Sequence, residues 1–194
     1  MTEAEVTLAI LAGGRGERMG KAKGLLRVGN QPILSYLLKR FAWRGPTMLV
    51  TSPGRERPPG AEGFDVEVVD PIEGEGPVRG VRTALEHLRT NLLLLATVDM
   101  PLVGREQLLW LMDQLETVPL ARGLLMEREK EIESFPLIFR KKPAQLYEDA
   151  RSMRSLAKTH GFAVVAAPGT WPADVWTNLN EPGDLEAFER RFGG

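Results

Sequence analysis

Three glycines, Gly13, Gly14 and Gly16, stand within four residues in the stretch LAGGRGERMGKAKG, and Arg18, Lys21 and Lys23 follow them. Glycines in such a loop present bare backbone N–H groups to phosphate oxygens and adopt positive φ at little cost. Arginine grips phosphate with a planar fork, and lysine acts as a point charge. Together they offer chemistry suited to a triphosphate. Two familiar phosphate cradles fail at named positions. The dinucleotide fingerprint G-x-G-x-x-G needs glycine where Met19 stands, so that helix and strand pack closely. The P-loop G-x-x-x-x-G-K-[ST] needs glycine at Arg15 and a hydroxyl at Ala22.

A second candidate is Asp99, which ends the apolar run NLLLLATV. A lone acid there is costly to bury unpaired. Magnesium takes one or two carboxylates and completes its shell with phosphate oxygens and water. The competing reading is a turn or helix cap ahead of Pro101. Asp70, ahead of Pro71, has the same turn reading, set against a place in the ligand pocket at a strand end. Asn178 and Asn180 flank Leu179, so on an extended segment both side chains point one way. Such a pair can read a polar ring through donors and acceptors; a turn with Asn180 near a helix cap is the alternative. Arg79 and Arg82 read as an exposed helical face, and Trp171 and Trp176 as core or rim packing. His87 and His160 read as helix-end residues without a chemical task.

Composition narrows the classes. The 194 residues suit one domain of common size. A hydrophobic fraction of 43% supplies a core. Lys and Arg number 25 against 26 Asp and Glu, which gives no reason to expect a nucleic-acid or membrane partner. Cysteine is absent and histidine occurs twice, so disulfides, thiolate zinc sites and His-rich metal sites are excluded. No apolar run reaches a membrane span, and MTEAEV lacks a signal core, so a cytoplasmic protein is expected.

These residues must be positioned by strands and helices, and the patterns alternate. Val6 to Leu11, Thr47 to Val50, Val66 to Val69 and the run NLLLLATV, Asn91 to Val98, read as strands. Helical spacing follows Pro32 and recurs from Val78 to Leu88, from Arg105 to Leu115 and from Pro182 onward. Gly123 to Met126, Phe135 to Phe139 and Phe162 to Ala166 are further strands, with short helices near residues 143–150 and 152–159. The alternation predicts an α/β fold with a mostly parallel sheet. In such sheets ligands sit at the carboxyl ends of the strands, where Gly13, Thr51, Asp70 and Asp99 fall.

On these residues the sequence resembles nucleotidyltransferases with a Rossmann-like three-layer α/β/α fold, and most closely the molybdenum cofactor guanylyltransferases. LAGGRGERMGKAKGLL is similar to their first motif, and VVDPIEGEGPVRGV, ATVDMPLV and TNLNEPGDLEAF match in order. The resemblance implies one nucleotidyltransferase domain over residues 1–194. Its N-terminal half would bind the nucleotide and its C-terminal half mainly the acceptor. It implies transfer of GMP from GTP to molybdenum-loaded molybdopterin, with Mg²⁺ as cofactor. Other cofactor-biosynthesis or chaperone proteins would be further partners. Leu11, Ala12, Gly13 and Gly14 would line the nucleotide site, with Thr51 and Asp70. Lys23 would contact the triphosphate, Arg18 would share the charge stabilisation, and Asp99 would hold the metal. Asn178 and Asn180 would face the molybdopterin. The chain departs from the family pattern in a shorter spacer before Lys23, in Thr51-Ser52 where asparagine is common, and in Phe135 where histidine often precedes proline.

Overall fold

The apolar run Val6–Leu11 forms strand β1 with all six side chains buried. A strand buried on both faces belongs at the centre of a sheet covered on each side. The computed structural model describes residues 1–14, 16, 18–72, 76–141, 152–158 and 161–192. After β1 come a short hairpin, β2 (Arg27–Val28) and β3 (Gln31–Pro32), and helix α1 (Ile33–Phe41). Next are β4 (Thr47–Thr51), β5 (Val66–Val69), α2 (Gly76–Glu86), β6 (Leu92–Thr97) and α3 (Arg105–Thr117). The chain then forms β7 (Gly123–Arg128), β8 (Glu131–Arg140), β9 (Phe162–Ala166) and α4 (Pro182–Phe192).

Among the described residues seven strands make one sheet in the order β5-β4-β1-β6-β8-β7-β9. The neighbours β5/β4, β4/β1, β1/β6 and β7/β9 are parallel, and β8 runs antiparallel to β6 and β7. The expected mostly parallel α/β architecture is therefore present. The helical spacing reads correctly too. Val78, Val81, Ala84, Leu85 and Leu88 are all buried, and α2 packs on β1, β4, β5 and β6. Helix α3 packs on β7 and β8 and meets α1.

The register sets where the parallel strands stop. Leu11 stands beside Val50 and Thr97, and Thr51 beside Val69. The ladder runs one residue further: Ala12 N–H donates to the Val50 carbonyl (2.8 Å), Asp70 N–H to Thr51 (2.8 Å) and Val98 N–H to Leu11 (3.2 Å). Gly13, Ser52, Asp70 and Asp99 thus leave the sheet along a single edge.

The second half differs from its sequence reading. β7 and β8 are longer than expected, and their turn is made by Glu129 and Lys130 with φ of 51° and 67°. Positive φ at both central residues usually calls for Asn-Gly, so the turn carried no signal. Pairing jumps from Leu124–Ile138 to Met126–Glu133, which leaves extra residues bulging from β8 around Pro136. Proline has no N–H to give a ladder and fits such a bulge. The helix expected at 143–150 lies outside the described residues, as does His160. The one expected at 152–159 is described as a 3₁₀ turn over Arg154–Lys158.

Candidate active site

A cavity of about 650 Å³ opens at the carboxyl ends of β1, β4, β5 and β6. Leu11, Gly13, Gly14 and Val50 line it from the first two strands, and Thr97 and Asp99 from β6. Its far wall is Glu133, Ser134 and Phe135 at the start of β8, with Arg154 and Asn178.

Two short polar contacts converge on Lys23. Its ammonium donates to Asp99 Oδ2 at 2.7 Å and to Asn180 Oδ1 at 2.8 Å. The Lys23 and Asp99 side chains are 14% and 22% exposed, so the pair is sheltered without being sealed. Asp99 lies in the turn after β6. Helix α3 begins six residues later with Gly104 as its cap, so Asp99 caps nothing. Leu179 N–H donates to the Asp99 carbonyl at 2.8 Å, which ties the late Asn-Leu-Asn segment to the same turn. Asp184, in the first turn of α4, reaches back to accept from the N–H groups of Asn180 (2.8 Å) and Glu181 (2.9 Å). The Asn180 side chain is therefore turned to Lys23 and not to the helix end.

The glycines have steric reasons. A Cβ on Gly13 would lie 2.5 Å from Ser52 Oγ, whose hydroxyl donates to the Gly13 carbonyl at 2.7 Å. Gly16 has φ of +61°, and a Cβ there would meet the Lys21 carbonyl at 2.0 Å. Gly80, in the first turns of α2, lets that helix sit 3.3 Å from Leu11 and 3.8 Å from the Asp70 carboxylate, measured from its own would-be Cβ. Asp70 itself is buried and lines the cavity.

Not every expected residue reaches this cavity. Leu11, Gly13, Gly14, Lys23, Asp70, Asp99 and Asn178 line it. Ala12 and Thr51 face a separate hollow of about 10 Å³, and the Thr51 hydroxyl donates to the Val68 carbonyl at 3.5 Å. Ser52, the next residue, is the one on the cavity. Arg18 and Lys21 are exposed and outside its lining. Arg79 is no exposed helical face: it is half-buried and lines the cavity, and its guanidinium lies 3.8 Å from Glu86. Sequence reasoning missed Glu133 and Ser134 and set Phe135 aside. Glu133 is held by Arg128 at 3.1 Å, and that guanidinium lies 5.5 Å over the ring of Trp176. Trp171 and Trp176 are buried, as packing residues should be.

A family profile described as the MobA-like NTP transferase domain matches residues 8–166. The chain belongs to the MobA-like NTP transferase family. It is a nucleotidyltransferase, and Gly13, Lys23, Ser52, Asp70 and Asp99 lie within the matched span, with Asn178 and Asn180 beyond it. A probable molybdenum cofactor guanylyltransferase of Trichormus variabilis is 24% identical over 96% of this chain and 92% of its own length. Among solved structures, molybdopterin-guanine dinucleotide biosynthesis protein A from Archaeoglobus fulgidus superposes with a TM-score of 0.79. It is 20% identical, with 95% of this chain and 97% of that one covered. The 2-C-methyl-D-erythritol 4-phosphate cytidylyltransferase of Thermus thermophilus gives a TM-score of 0.66 at 20% identity, covering 94% of this chain and 96% of that one. Fold alone therefore does not choose between guanine and cytosine nucleotides. Among the described residues of this transferase no helix is long and apolar enough to cross a membrane.

Proposed function

We propose that this transferase moves GMP from GTP to the terminal phosphate of molybdenum-loaded molybdopterin, in the cytoplasm, and releases pyrophosphate. Residues 1–194 act as one domain, with nucleotide contacts mainly from the first half and acceptor contacts from the second. The observation that carries the reading is the meeting of three distant motifs at one point: Lys23 from the glycine loop, Asp99 from β6 and Asn180 from the late segment. The names of the relatives matched over nearly their whole length support the guanylyl and molybdenum-cofactor assignments.

A phosphate monoester of the acceptor is ionised near neutral pH and needs no general base. One of its oxygens attacks the α-phosphorus of GTP. The new P–O bond forms as the bond to the bridging oxygen of the β-phosphate breaks, and the electron pair leaves on pyrophosphate. Such transfers depend on positioning and charge stabilisation more than on covalent help. Backbone at Leu11, Gly13 and Gly14 cradles the nucleotide, and Asp70 and Ser52 flank its pocket. Lys23 meets the negative charge that grows on the leaving group. Arg18 contributes from the rim of the loop, and Ala12 and Thr51 support the cradle from the adjoining hollow. Asn178 takes the acceptor.

Among the described residues no three His, Cys, Asp or Glu side chains form a metal cage. Magnesium does not need one, since one or two carboxylates with phosphate oxygens and water suffice. Lys23 takes Asp99 Oδ2 and leaves Oδ1 without a side-chain partner among the described residues. The residues thus fit a Mg²⁺ that arrives with its nucleotide, held by Asp99. Bound there it would polarise the α-phosphate.

The test is mass spectrometry of the product from molybdenum-loaded molybdopterin with GTP or CTP. The expected product is the guanine dinucleotide, with pyrophosphate released only when the acceptor is present. A cytosine dinucleotide formed in preference would sink the guanylyl reading. Nucleotide binding with no turnover under either condition would sink the transfer itself.

A further inference from the structure

The two asparagines of the late segment have different surroundings. Asn178 is exposed and lines the cavity. Asn180 is half-buried, does not line it, and spends its side-chain oxygen on the Lys23 ammonium at 2.8 Å. We infer that Asn180 is a positioning residue for Lys23, acting on the nucleotide side of the reaction and not as an acceptor contact. The inference rests on the reading of Lys23 as a triphosphate ligand.

The physical case begins with the lysine. Its ammonium is a point charge on a flexible four-carbon stem, with three donors and no preferred direction of its own. Two fixed acceptors, Asp99 Oδ2 and Asn180 Oδ1, engage two of those donors. The third remains for a phosphate oxygen. The acceptors are rigid because their backbones are tied together. Leu179, wholly buried, donates its N–H to the Asp99 carbonyl. Asn180 N–H is held by Asp184 at the start of α4. The stem of Lys23 passes beside the loop, with its Cδ 3.9 Å from a would-be Cβ on Gly14.

The chemistry of the second acceptor also matters. A carboxamide oxygen orients the ammonium and leaves its charge in place. A carboxylate at Asn180 would set two negative groups around one cation and weaken its pull on phosphate. Asn180 therefore aims the lysine while Asp99, already charged, keeps its second oxygen for other work.

The experiment is a double-mutant cycle on the full chain, read by calorimetric titration of GTP with Mg²⁺ and no acceptor. Lys23→Met alone tests the underlying reading. If it binds GTP as tightly as the wild type, that reading and this inference fall together. Asn180→Ala should weaken GTP binding about tenfold, the scale of a lost hydrogen bond to a charged group. In the Lys23→Met background it should cause almost no further loss, because residues acting through one another are not additive. Losses that simply add would overturn the inference and leave the reading of Lys23 intact. So would a raised KM for molybdopterin with GTP affinity unchanged, the pattern expected instead of Asn178→Ala. Should Asn180→Ala not fold, the near-isosteric Asn180→Asp serves. It should lose at least as much GTP affinity, and unchanged affinity would overturn the inference.

Discussion

β6 and β8 lie side by side and run in opposite directions, and they supply the cavity differently. β6 ends there. Its last residues, Thr97 and then the turn to Asp99, leave the sheet at the edge where β1, β4 and β5 also stop. β8 begins there. The pairing of β8 with β6 stops at Leu137 and Leu95, so Glu133 to Phe135 lie beyond the paired stretch and wall the cavity from within a strand. In the parallel wing the polar groups come mainly from loops at the strand ends, bare backbone at Gly13 and Gly14 among them, held by largely apolar strands. In the mixed wing a bulge turns strand residues toward the cavity, and Arg128 braces Glu133. The first arrangement suits close approach to phosphates. The second suits side-chain recognition of a second molecule.

That contrast is most severely tested at Asp99. Asp99→Asn keeps the hydrogen-bonding shape and removes the charge. Turnover, followed as pyrophosphate release, should fall by about 10³-fold, as when a group that stabilises transition-state charge is removed. The midpoint of thermal unfolding should hardly move, since Asp99 is not in the core. Activity within a few-fold of wild type would take Asp99 out of the chemistry and with it the primacy of the parallel wing.

Gly13→Ala probes the same wing through backbone. The added methyl would press on Ser52 Oγ at 2.5 Å and displace either the hydroxyl or the loop. Misplacement on the order of 1 Å at a reacting centre costs about 100-fold in rate. We expect that loss in kcat/KM for GTP. A near-normal Gly13→Ala enzyme would mean that the loop does not approach the nucleotide closely.

Glu133→Gln moves to the mixed wing and should separate it from the first. The KM for the acceptor should rise about fivefold, within the range of one ordinary hydrogen bond. GTP affinity measured without acceptor should stay put. The reverse pattern would erase the division between the wings.

The legibility of the two wings follows from the same geometry. Strands that end at a ligand edge announce themselves: an apolar run, then glycine or aspartate. β1 with Gly13 and β6 with Asp99 could be read in this way, and Val6–Leu11 and Val66–Val69 match their expected bounds. A strand that starts at the edge gives no such mark, and Glu133 reads as an ordinary charge in a polar stretch. Exposure was hidden as well. Arg18, Lys21 and Lys23 form one basic run, yet only Lys23 turns inward. Its partners explain why the run could not be divided by inspection. Asp99 and Asn180 lie 76 and 157 residues away in the chain.

The smallest expected effect concerns what joins the wings away from the cavity. Glu3, just before β1, receives bonds from the guanidinium of Arg105, the first residue of α3, which packs on β7 and β8. It also accepts the Arg44 N–H at 2.8 Å. The Arg105 hydrogen bonds hold the Glu3 carboxyl below its ordinary range against the opposing effect of partial burial, and the Arg44 N–H adds to them. A carboxyl whose folded value is depressed contributes stability that is complete above its unfolded value, near 4.3. That contribution is lost as pH falls through the lower folded value. Glu3→Gln should therefore cost roughly 1 kcal/mol at pH 7, the upper end for a partly exposed pair. Urea unfolding of both proteins should show the gap constant down to about pH 5 and closing below about pH 4. GTP turnover at neutral pH should be untouched, because the tie lies at the opposite ends of the strands from the cavity. A gap that widens in acid would mean that Glu3 is stabilised as the neutral acid, and the pair would not be the clasp between the wings.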